Sequence, residues 1–558
     1  MSILSIENLS ISFHGREGIT RAVLNASFKL DKGETIAIVG ESGSGKSVLC
    51  SSIMGLLPMP PARIENGTIE FQGQNILTSD NRQLRGLRGN RIGMVFQDPM
   101  TSLNPYLKIK NQITEPVCLH QRMTAKAAWP LAIAMLNEVG LPDPEQIMNL
   151  YPHQLSGGMR QRVMIAMALI NKPDILIADE PTTALDVTIQ SQILKLIKKL
   201  QREYNIAVIF VSHDLGVVAG IADHILVMQQ GQIVEQGTPD NIFYKSQHPY
   251  TRNLLDSIPV RAKTEKFIAN SADTKPLLTL QHLRTWYQSN DNELFRSGRN
   301  LVKAVDDVNL QIFPGETLGL VGESGSGKST LGRSVMRLVQ ITDGKILLDD
   351  RNLAELSASE LKLYRREFQM IFQDPYASLN PRMTIFDALS EALQIRGALS
   401  ESTIHEEITL LMNDVGLDPA SIRKYPHEFS GGQRQRIAIA RAIALKPRLI
   451  IADEPVSALD VTIQAQILDL LLMLVKKNQL TMLFISHDLS VIRYMSDRVA
   501  VMYQGIIVET GDTESLFAQP AHPYTKTLLS AIPLPDPIRE RARYRQVNVK
   551  SSEPHITP

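Results

Sequence analysis

A word of eight residues, GESGSGKS, occurs twice in this chain, at residues 40–47 and again at residues 322–329. Further words return in the same order: FQDP at 96 and 372, IADEP at 177 and 451, SHDL at 212 and 486, and HPYT at 248 and 522. Words of such mixed composition do not recur in one order by chance. The 558 residues therefore contain two copies of one long domain rather than a solenoid of short repeats.

The repeat sets the predicted domain boundaries. We expect the first domain at residues 1–260, a polar linker at 261–276 and the second domain at 277–534. The second copy carries an insertion near residues 290–300. Residues 535–558 are a tail rich in Pro and Arg, interpreted as a solvated end; contact with lipid head groups or with a partner is the alternative.

Composition excludes several classes of protein. The 58 Lys and Arg residues balance 58 Asp and Glu residues, so no overall charge attracts nucleic acid or acidic lipid. Two cysteines, Cys50 and Cys118, are too few for a disulfide framework or an iron–sulfur cluster. No apolar run approaches the roughly 20 residues of a membrane-spanning helix, and the N-terminus lacks a signal-peptide pattern. We expect a chain that works in a reducing interior and crosses no membrane by itself.

The repeated glycine-rich word has the context of a phosphate-binding loop, or P-loop. Each copy follows a short apolar run, residues 35–39 and 317–321, and precedes a helical segment. Glycines let consecutive N–H groups surround phosphate oxygens, and the lysine reaches the β- and γ-phosphates while the serine hydroxyl binds Mg²⁺. The predicted nucleotide-binding residues are Gly40, Glu41, Ser42, Gly43, Ser44, Gly45, Lys46 and Ser47, and Gly322, Glu323, Ser324, Gly325, Ser326, Gly327, Lys328, Ser329 and Thr330.

Two carboxylates end a second apolar run in each copy, residues 174–180 and 448–454. The first of the two, Asp179 or Asp453, suits the Mg²⁺ shell. The second, Glu180 or Glu454, is the candidate general base for an attacking water. Neighbouring residues of a strand point to opposite faces, so this division of roles requires the strand to end there.

A third word supplies further anion sites. LSGGM and FSGGQ each precede a helical, Arg-bearing stretch, and a Ser with two Gly at a helix N-terminus can bind phosphate. The candidates are Ser156, Gly157, Gly158, Ser430, Gly431 and Gly432. Four phosphate-binding elements but only two lysine-bearing loops predict two nucleotides, each held between the P-loop of one copy and the SGG helix of the other.

These words resemble the ATP-binding cassette of ABC transporters, with LSGGM and FSGGQ as its signature motif, over nearly the whole chain. The resemblance implies an α/β fold of two tandem P-loop ATPase domains, each with a RecA-like core, an antiparallel β subdomain and a helical subdomain. It also implies ATP and Mg²⁺ as cofactors.

The resemblance implies roles for further residues. Gln97 and Gln373 match the loop glutamine of the Mg²⁺ and water shell, and His213 and His487 match the switch histidine near the γ-phosphate. TALD and SALD, at residues 183–186 and 457–460, match the loop that communicates between sites. Phe13 and Tyr287 stand where an adenine-stacking aromatic is expected, although a core aromatic is an equally good interpretation.

Two composite sites follow from the resemblance. Site one combines Lys46, Gln97, Glu180 and His213 with the SGG word at Ser430, and site two combines Lys328, Gln373, Glu454 and His487 with the SGG word at Ser156. Both contain every expected group. The one departure is Met159, where the signature usually ends in Gln or Glu.

Other words indicate the direction of transport. DPMTSLNP and DPYASLNP resemble the groove that receives the coupling helices of peptide-importer permeases, and the HPYT regions resemble the C-terminal signature of oligopeptide, dipeptide and nickel importers. The fused arrangement is similar to ATP-binding proteins of bacterial systems importing peptides, microcin C or glutathione. The resemblance implies two permease subunits, a substrate-binding protein, no nucleic acid, and a peripheral place on the cytoplasmic side of the cell membrane.

Several alternatives stay open. A nickel importer ATPase belongs to the same subfamily. A tandem cassette acting on ribosomes normally has DEPTNHLD and HDR, whereas this chain has DEPTTALD, DEPVSALD and HDL. A cassette repair protein would need zinc cysteines or a long coiled-coil insertion. Export is disfavoured by the HPYT region.

Overall fold

The computed structural model describes residues 2–15, 18–182, 185–259, 275–288, 301–397, 399–457 and 459–550, with only the backbone described at 99–100 and 544–550. The predicted insertion and nearly all of the predicted linker lie outside these ranges. No helix within them is long and apolar enough to cross a membrane.

The described residues group into two compact units. The first unit comprises Met1–Leu185, Ile189–Ile258 and the C-terminal segment from Pro533, and the second comprises Asp186–Thr188 and Pro259–Ile532. The units thus follow the repeat, except that three residues of the first copy group with the second unit and the tail groups with the first. The domain limits inferred from the sequence stay a prediction.

The first unit contains two sheets. One is four-stranded and antiparallel, in the order β2-β1-β4-β5, and the other is six-stranded, in the order β10-β9-β3-β8-β7-β6, and parallel except for its β10 edge. The strands are β1 (Ser2–Gly15), β2 (Gly18–Asp31), β3 (Thr35–Val39), β4 (Ala62–Phe71), β5 (Gln74–Asn75), β6 (Ile92–Val95), β7 (Ile175–Asp179), β8 (Ala207–Val211), β9 (His224–Gln229) and β10 (Gln232–Gly237).

Helices of the first unit flank the parallel sheet and form a lobe between Gln97 and the first signature word, which confirms the predicted helical subdomain. They are α1 (Lys46–Ile53), α2 (Asn81–Leu87), α3 (Pro99–Ser102), α4 (Ile109–Gln121), α5 (Ala125–Glu138), α6 (Pro144–Met148), α7 (Gly157–Leu169), α8 (Val187–Tyr204), α9 (Leu215–Ile221), α10 (Pro239–Lys245) and α11 (Pro249–Asp256).

The second unit repeats this plan. Its sheets have the orders β12-β11-β14-β15 and β16-β17-β18-β13-β19-β20. The strands are β11 (Leu278–Gln288), β12 (Leu301–Ile312), β13 (Thr317–Val321), β14 (Asp343–Leu348), β15 (Arg351–Asn352), β16 (Phe368–Ile371), β17 (Leu449–Asp453), β18 (Thr481–Ile485), β19 (Arg498–Tyr503) and β20 (Ile506–Asp512). The helices are α12 (Lys328–Val335), α13 (Ala358–Tyr364), α14 (Pro375–Ser378), α15 (Ile385–Arg396), α16 (Glu401–Asp414), α17 (Gly431–Ile443), α18 (Val461–Asn478), α19 (Leu489–Met495), α20 (Thr513–Ala518) and α21 (Pro523–Ala531).

Sequence pattern explains the strands that position the site. All five residues of β3 and of β13 are buried, as a strand covered on both faces of a parallel sheet requires. In β1 the buried positions change from Leu4 and Ile6 to Leu9 and Ile11, because a register irregularity at Asn8, whose φ is 51°, shifts the alternation by one residue. The apolar runs before each P-loop therefore fold as predicted, with the predicted bounds.

The C-terminal tail is not simply a solvated end, which corrects the interpretation from its polar composition. Helix α22 (Pro537–Lys550) packs against α9 and α10 of the first unit. Pro537 and Glu540 are buried, with Glu540 only 4% exposed. The polar sequence conceals this contact because few of its residues are apolar.

Candidate functional site

Each P-loop leads from the end of a buried strand into a helix whose N-cap is glycine. Gly45 has a φ of 102°, and a Cβ there would lie 2.2 Å from the Ala22 carbonyl oxygen. Gly327 has a φ of 107°, and its Cβ would lie 2.0 Å from the Ala304 carbonyl oxygen. Only glycine meets both the left-handed backbone and the close approach at these positions.

The lysine of each P-loop is buried and folded over its own loop. Lys46 Nζ donates to the carbonyl oxygens of Gly40 and Glu41, each at 2.8 Å. Lys328 Nζ donates to Gly322 at 2.7 Å and to Glu323 at 2.9 Å. Burial lowers the pKa of Lys328 from its ordinary value. When a phosphate enters the loop, the lysine can exchange these carbonyl oxygens for phosphate oxygens as its hydrogen-bond acceptors.

The residue after each lysine contacts the first of the two acidic residues. Ser47 Oγ donates to Asp179 Oδ1 at 3.2 Å, and Ser329 Oγ donates to Asp453 Oδ1 at 2.8 Å. Both aspartates end their strands, and burial raises the pKa of each carboxyl. A hydroxyl and a carboxylate side by side are the hard oxygen donors that Mg²⁺ prefers.

The donor set fits a Mg²⁺ ion that takes most of its ligands from a nucleotide. Among the described residues no group of three or more His, Cys, Asp and Glu side chains could hold a metal ion. Mg²⁺ is typically held by one or two carboxylates together with phosphates and water. Asp179 with Ser47, and Asp453 with Ser329, supply that share.

The second acidic residue gathers the glutamine and the histidine of the first unit. Glu180 Oε2 accepts a hydrogen bond from Gln97 Nε2 at 2.9 Å and lies 3.4 Å from His213 Nδ1. The hydrogen bond to Glu180 raises the pKa of His213 above its ordinary value, although burial opposes the change. Side chains from two other words, Gln97 and His213, therefore meet at one carboxylate oxygen of Glu180.

The second unit has the same cluster. Glu454 Oε2 accepts from Gln373 Nε2 at 2.9 Å and lies 3.1 Å from His487 Nδ1. Burial lowers the pKa of His487, but its interaction with Glu454 outweighs burial and the pKa is raised. Burial raises the pKa of Glu454, but the hydrogen bond to His487 and the charge of that histidine outweigh burial, so the pKa of Glu454 is lowered.

The glutamates lie just beyond the ends of their strands, in a backbone conformation that is unusual for a side chain of this size. Glu180 and Glu454 both have a φ of 47°. Their amides donate to the carbonyl oxygens of Val211 and Ile485, each at 3.0 Å. Left-handed backbone at a non-glycine residue costs energy and often marks a functional position.

The signature serines cap helices within their own units. Ser156 accepts from the Met159 amide at 3.3 Å, and Ser430 accepts from the Gln433 amide at 3.4 Å. The Gln433 side-chain oxygen also accepts a hydrogen bond from the Ser430 amide at 3.0 Å. Met159, at the matching position, has no side-chain oxygen that could accept such a bond. The two glycines after each serine, Gly157 and Gly158 or Gly431 and Gly432, form the first turn of α7 or α17.

The two candidate adenine-stacking aromatics differ in their surroundings. Phe13 lies on β1 and packs, half-buried, against the core. Tyr287 lies on β11 and is 41% exposed. Adenine contacts of either residue stay a prediction.

Contacts of the P-loops with residues far along the chain were not predictable from the motifs. In the second unit the Ser324 amide donates to the Asp186 carboxylate, and the Thr188 hydroxyl donates to Glu323. In both units a tyrosine of the HPYT word accepts from the P-loop: Tyr250 from the Glu41 amide at 3.0 Å and Tyr524 from the Glu323 amide at 3.1 Å. The recurrence of HPYT was the only signal in the sequence for the tyrosines.

Known proteins share both the cassettes and the C-terminal words. Residues 23–183 and 305–457 match the family model described as ABC transporter. Residues 234–282 and 508–555 match the model described as oligopeptide/dipeptide transporter, C-terminal region.

Curated relatives match nearly the whole chain. It is 47% identical to the glutathione import ATP-binding protein GsiA of Salmonella choleraesuis (strain SC-B67), over 97% of this chain and 91% of the relative. It is 48% identical to the same-named protein of Escherichia coli (strain K12), with the same coverage. Among solved structures, the dimeric MJ0796 cassette of a bacterial ABC transporter aligns with 42% of this chain and 98% of its own, with 29% identity and a TM-score of 0.39.

Proposed function

Since the chain belongs to the ABC transporter family, we propose that its ATP hydrolysis drives import of a short peptide of the glutathione class through separate membrane permeases. The chain is an ATP-binding and ATP-hydrolysing subunit of the glutathione and oligopeptide import type. The identity of the solute is the part that is proposed. It is supported by relatives whose names specify glutathione import, at 47% and 48% identity over nearly the full chain.

One observation carries the enzymatic part of the proposal: the cluster of glutamate, glutamine and histidine occurs in both units with nearly the same distances. We assign Glu180 and Glu454 as the general bases, each oriented by a glutamine and a histidine. The glutamine, Gln97 or Gln373, holds the carboxylate in one orientation, and in that orientation the carboxylate would accept a proton from a water molecule. Two intact clusters support hydrolysis in both halves.

The cofactors are ATP, which is general for this family, and Mg²⁺, which we propose from the donor set. The cation would neutralise charge that develops on phosphate oxygens. We assign Ser47, Asp179 and Gln97 to hold it in the first half, and Ser329, Asp453 and Gln373 in the second. Lys46 and Lys328 would bind the β- and γ-phosphates, with the P-loop amides around them.

We propose that both nucleotide-binding sites are composite. Each nucleotide would be bound by the P-loop of one copy and by the signature serine and glycines of the other. The excess of phosphate-binding elements over lysine-bearing loops supports this arrangement. So does the grouping of Asp186 with the second P-loop, since TALD is a word of the first copy. Site one would then use Ser430, and site two Ser156.

The proposed partners are two permease subunits and a substrate-binding protein, with the chain peripheral on the cytoplasmic side of the cell membrane. Aromatic side chains in or beside the words after the two glutamines are exposed: Tyr376, within DPYASLNP, is 49% exposed, and Tyr106, the residue that follows DPMTSLNP, is 87% exposed. Phe96 and Phe372, next to the glutamines, are 43% and 39% exposed. Exposed apolar side chains near the catalytic glutamine suit a coupling helix of a permease.

A reconstituted transport assay tests the solute. The chain, candidate permeases and a candidate binding protein are placed in vesicles with ATP, and uptake of glutathione, other short peptides and nickel is compared. We expect glutathione-class peptides to be taken up and nickel not. Uptake of nickel alone, or recovery of the chain with ribosomes and not with membranes, would contradict the proposal.

A further inference from the structure

The HPYT words stand outside the phosphate-binding machinery in sequence, yet their tyrosines touch it. Tyr250 is 9% exposed, and its hydroxyl accepts from the Glu41 amide at 3.0 Å. The N–H of Glu41 and the carbonyl of Gly40 are the two ends of one planar peptide unit. Lys46 Nζ donates to that carbonyl at 2.8 Å. Tyrosine and lysine thus hold opposite ends of the same peptide.

The tyrosine is itself fixed by a short series of hydrogen bonds. Glu235 on β10 accepts from the amides of Gln247 at 2.7 Å and His248 at 3.3 Å. His248 caps α11, its Nδ1 accepting from the Tyr250 amide at 3.3 Å. Burial raises the pKa of the Glu235 carboxyl, but its interactions with Thr251 and with these two amides outweigh burial and leave the pKa lowered. Glu235 thus anchors the start of α11 to the sheet.

The second unit repeats every step of this series. Glu509 accepts from the amides of Ala521 at 2.8 Å and His522 at 3.0 Å. His522 Nδ1 accepts from the Tyr524 amide at 3.2 Å, and the Tyr524 hydroxyl accepts from the Glu323 amide at 3.1 Å.

The far end of the series is also the same in the second unit. Lys328 Nζ donates to the Gly322 carbonyl, the other end of the peptide that Tyr524 holds, at 2.7 Å. The Tyr524 ring is supported by Tyr503, with ring centroids 4.2 Å apart. Two independent copies of one arrangement argue that it is a built feature.

From these contacts we infer that Tyr250 and Tyr524 are positioning residues that brace the two P-loops, so that the HPYT word sets the affinity of each half for ATP. The brace keeps the first peptide of the loop in place when the lysine leaves its carbonyl oxygens for a phosphate. A loop that is already in its binding conformation loses less entropy on binding. The inference depends on ATP binding alone and not on which solute is transported.

Removing one oxygen from each tyrosine tests the brace. Tyr250→Phe, Tyr524→Phe and the double variant are made in the full chain, and MgATP binding is measured by calorimetry together with steady-state hydrolysis. We expect each single variant to weaken one of the two ATP sites by about three- to tenfold, and the double variant to weaken both, as loss of one partly buried hydrogen bond implies. KM should rise by a similar factor while kcat changes by less than about twofold, because the catalytic glutamates are untouched.

Two controls separate positioning from general damage. Tyr204→Phe removes a hydroxyl that bonds Glu138 at 2.7 Å, and should leave ATP affinity unchanged. His248→Ala should weaken ATP binding in the first half, whereas His248→Asn should restore most of it, because Asn is a good N-cap. These two variants also serve if a tyrosine variant fails to fold.

The brace would be overturned by unchanged ATP affinity in the folded double variant, by an equal loss in Tyr204→Phe, or by His248→Ala and His248→Asn behaving alike. Hydrogen exchange gives a direct reading. Tyr250→Phe should speed exchange of amides at residues 40–47 and leave residues 322–329 unchanged; exchange that rises equally in both P-loops would also contradict the inference.

Discussion

The two units carry the same chemistry but differ in the helix that follows the histidine of the site. In the first unit this helix, α9, reads LGVVAGI; in the second unit α19 reads LSVIRYM. Arg493 of α19 forms two bonds with Glu514, at 2.9 and 2.7 Å. Ala219 stands at the matching position of α9, and the matching acid, Asp240, instead pairs with Arg541 of the tail at 3.6 Å.

Small residues on α9 make room for the tail. A Cβ at Gly216 would lie 3.1 Å from the Pro533 carbonyl oxygen, and the matching residue of α19 is Ser490. Arg541 also donates to the Ala222 carbonyl at 3.4 Å, and Tyr244 donates to Asp536 at 2.8 Å. The proposed catalytic groups are alike in the two units, whereas the surface of α9 beside one of them contacts the C-terminal segment.

The largest loss of activity is expected from replacing the two glutamates, whose contacts are alike in both units. Glu180→Gln combined with Glu454→Gln should lower steady-state ATP hydrolysis by about 10²–10³-fold, because a group oriented at each reacting centre is lost, and each single variant should lower it by at least about half. The variants should leave ATP binding intact. Hydrolysis and ATP affinity are measured side by side, and full turnover in either variant would show that its glutamate is not the base.

Loss of the tail should affect the stability of the first unit and not that of the second. Truncation of the chain after Ile532 should destabilise the first unit by about 1–3 kcal/mol, since the truncation uncovers the small-residue face of α9 and removes the buried residue Glu540. Hydrogen exchange of α9 amides should rise and that of α19 amides should not. The control is Ile538→Ala, at a residue that is 66% exposed and should have no effect. Equal protection of α9 amides from hydrogen exchange with and without the tail would show that the tail does not stabilise the first unit.

Part of this account was predictable from the sequence. The bounds of β3 and β13 follow from continuous apolar runs, and the fold and its helical lobe were implied by the resemblance of the motifs to the ABC cassette. Docking of the tail was not predictable, because RERARYR has no apolar period and its partner lies about 300 residues earlier. The tyrosine brace was equally hidden: Tyr250 and Glu41 are 209 residues apart, and no local pattern joins them.

The pH dependence of the cluster gives a smaller effect with a definite sign. The raised pKa of His487 means that its contribution to stability is complete below the ordinary value and is lost as pH rises through the folded pKa. The lowered pKa of Glu454 means that its contribution is lost as pH falls through the folded pKa. The ion pair should therefore stabilise most between pH values of about 4.5 and 6.5.

Histidine NMR of the nucleotide-free chain checks this expectation. The pKa of His487 should lie above about 6.5 and should fall when Glu454 is replaced by Gln. Glu180→Gln should act on His213 in the same way and leave His487 unchanged. A His487 pKa that does not respond to Glu454→Gln would exclude the ion pair.

The smallest expected effects come from the two arginines. Arg541→Ala should destabilise the first unit by about 0–1 kcal/mol, since its ion pair with Asp240 is long, at 3.6 Å, and partly exposed. Arg493→Ala should cost slightly more in the second unit, because two bonds to Glu514 are lost. Thermal unfolding of each variant, resolved by unit, measures the pair; a large loss from Arg541→Ala alone would make the arginine, rather than the whole segment, the main contact.

The number of ATP molecules that one chain binds shows whether both halves are complete nucleotide sites. The double variant Glu180→Gln with Glu454→Gln is saturated with MgATP, and bound nucleotide is counted by equilibrium dialysis. We expect two ATP per chain, falling to one when Lys46→Ala is added. A count of one before that change would contradict this expectation.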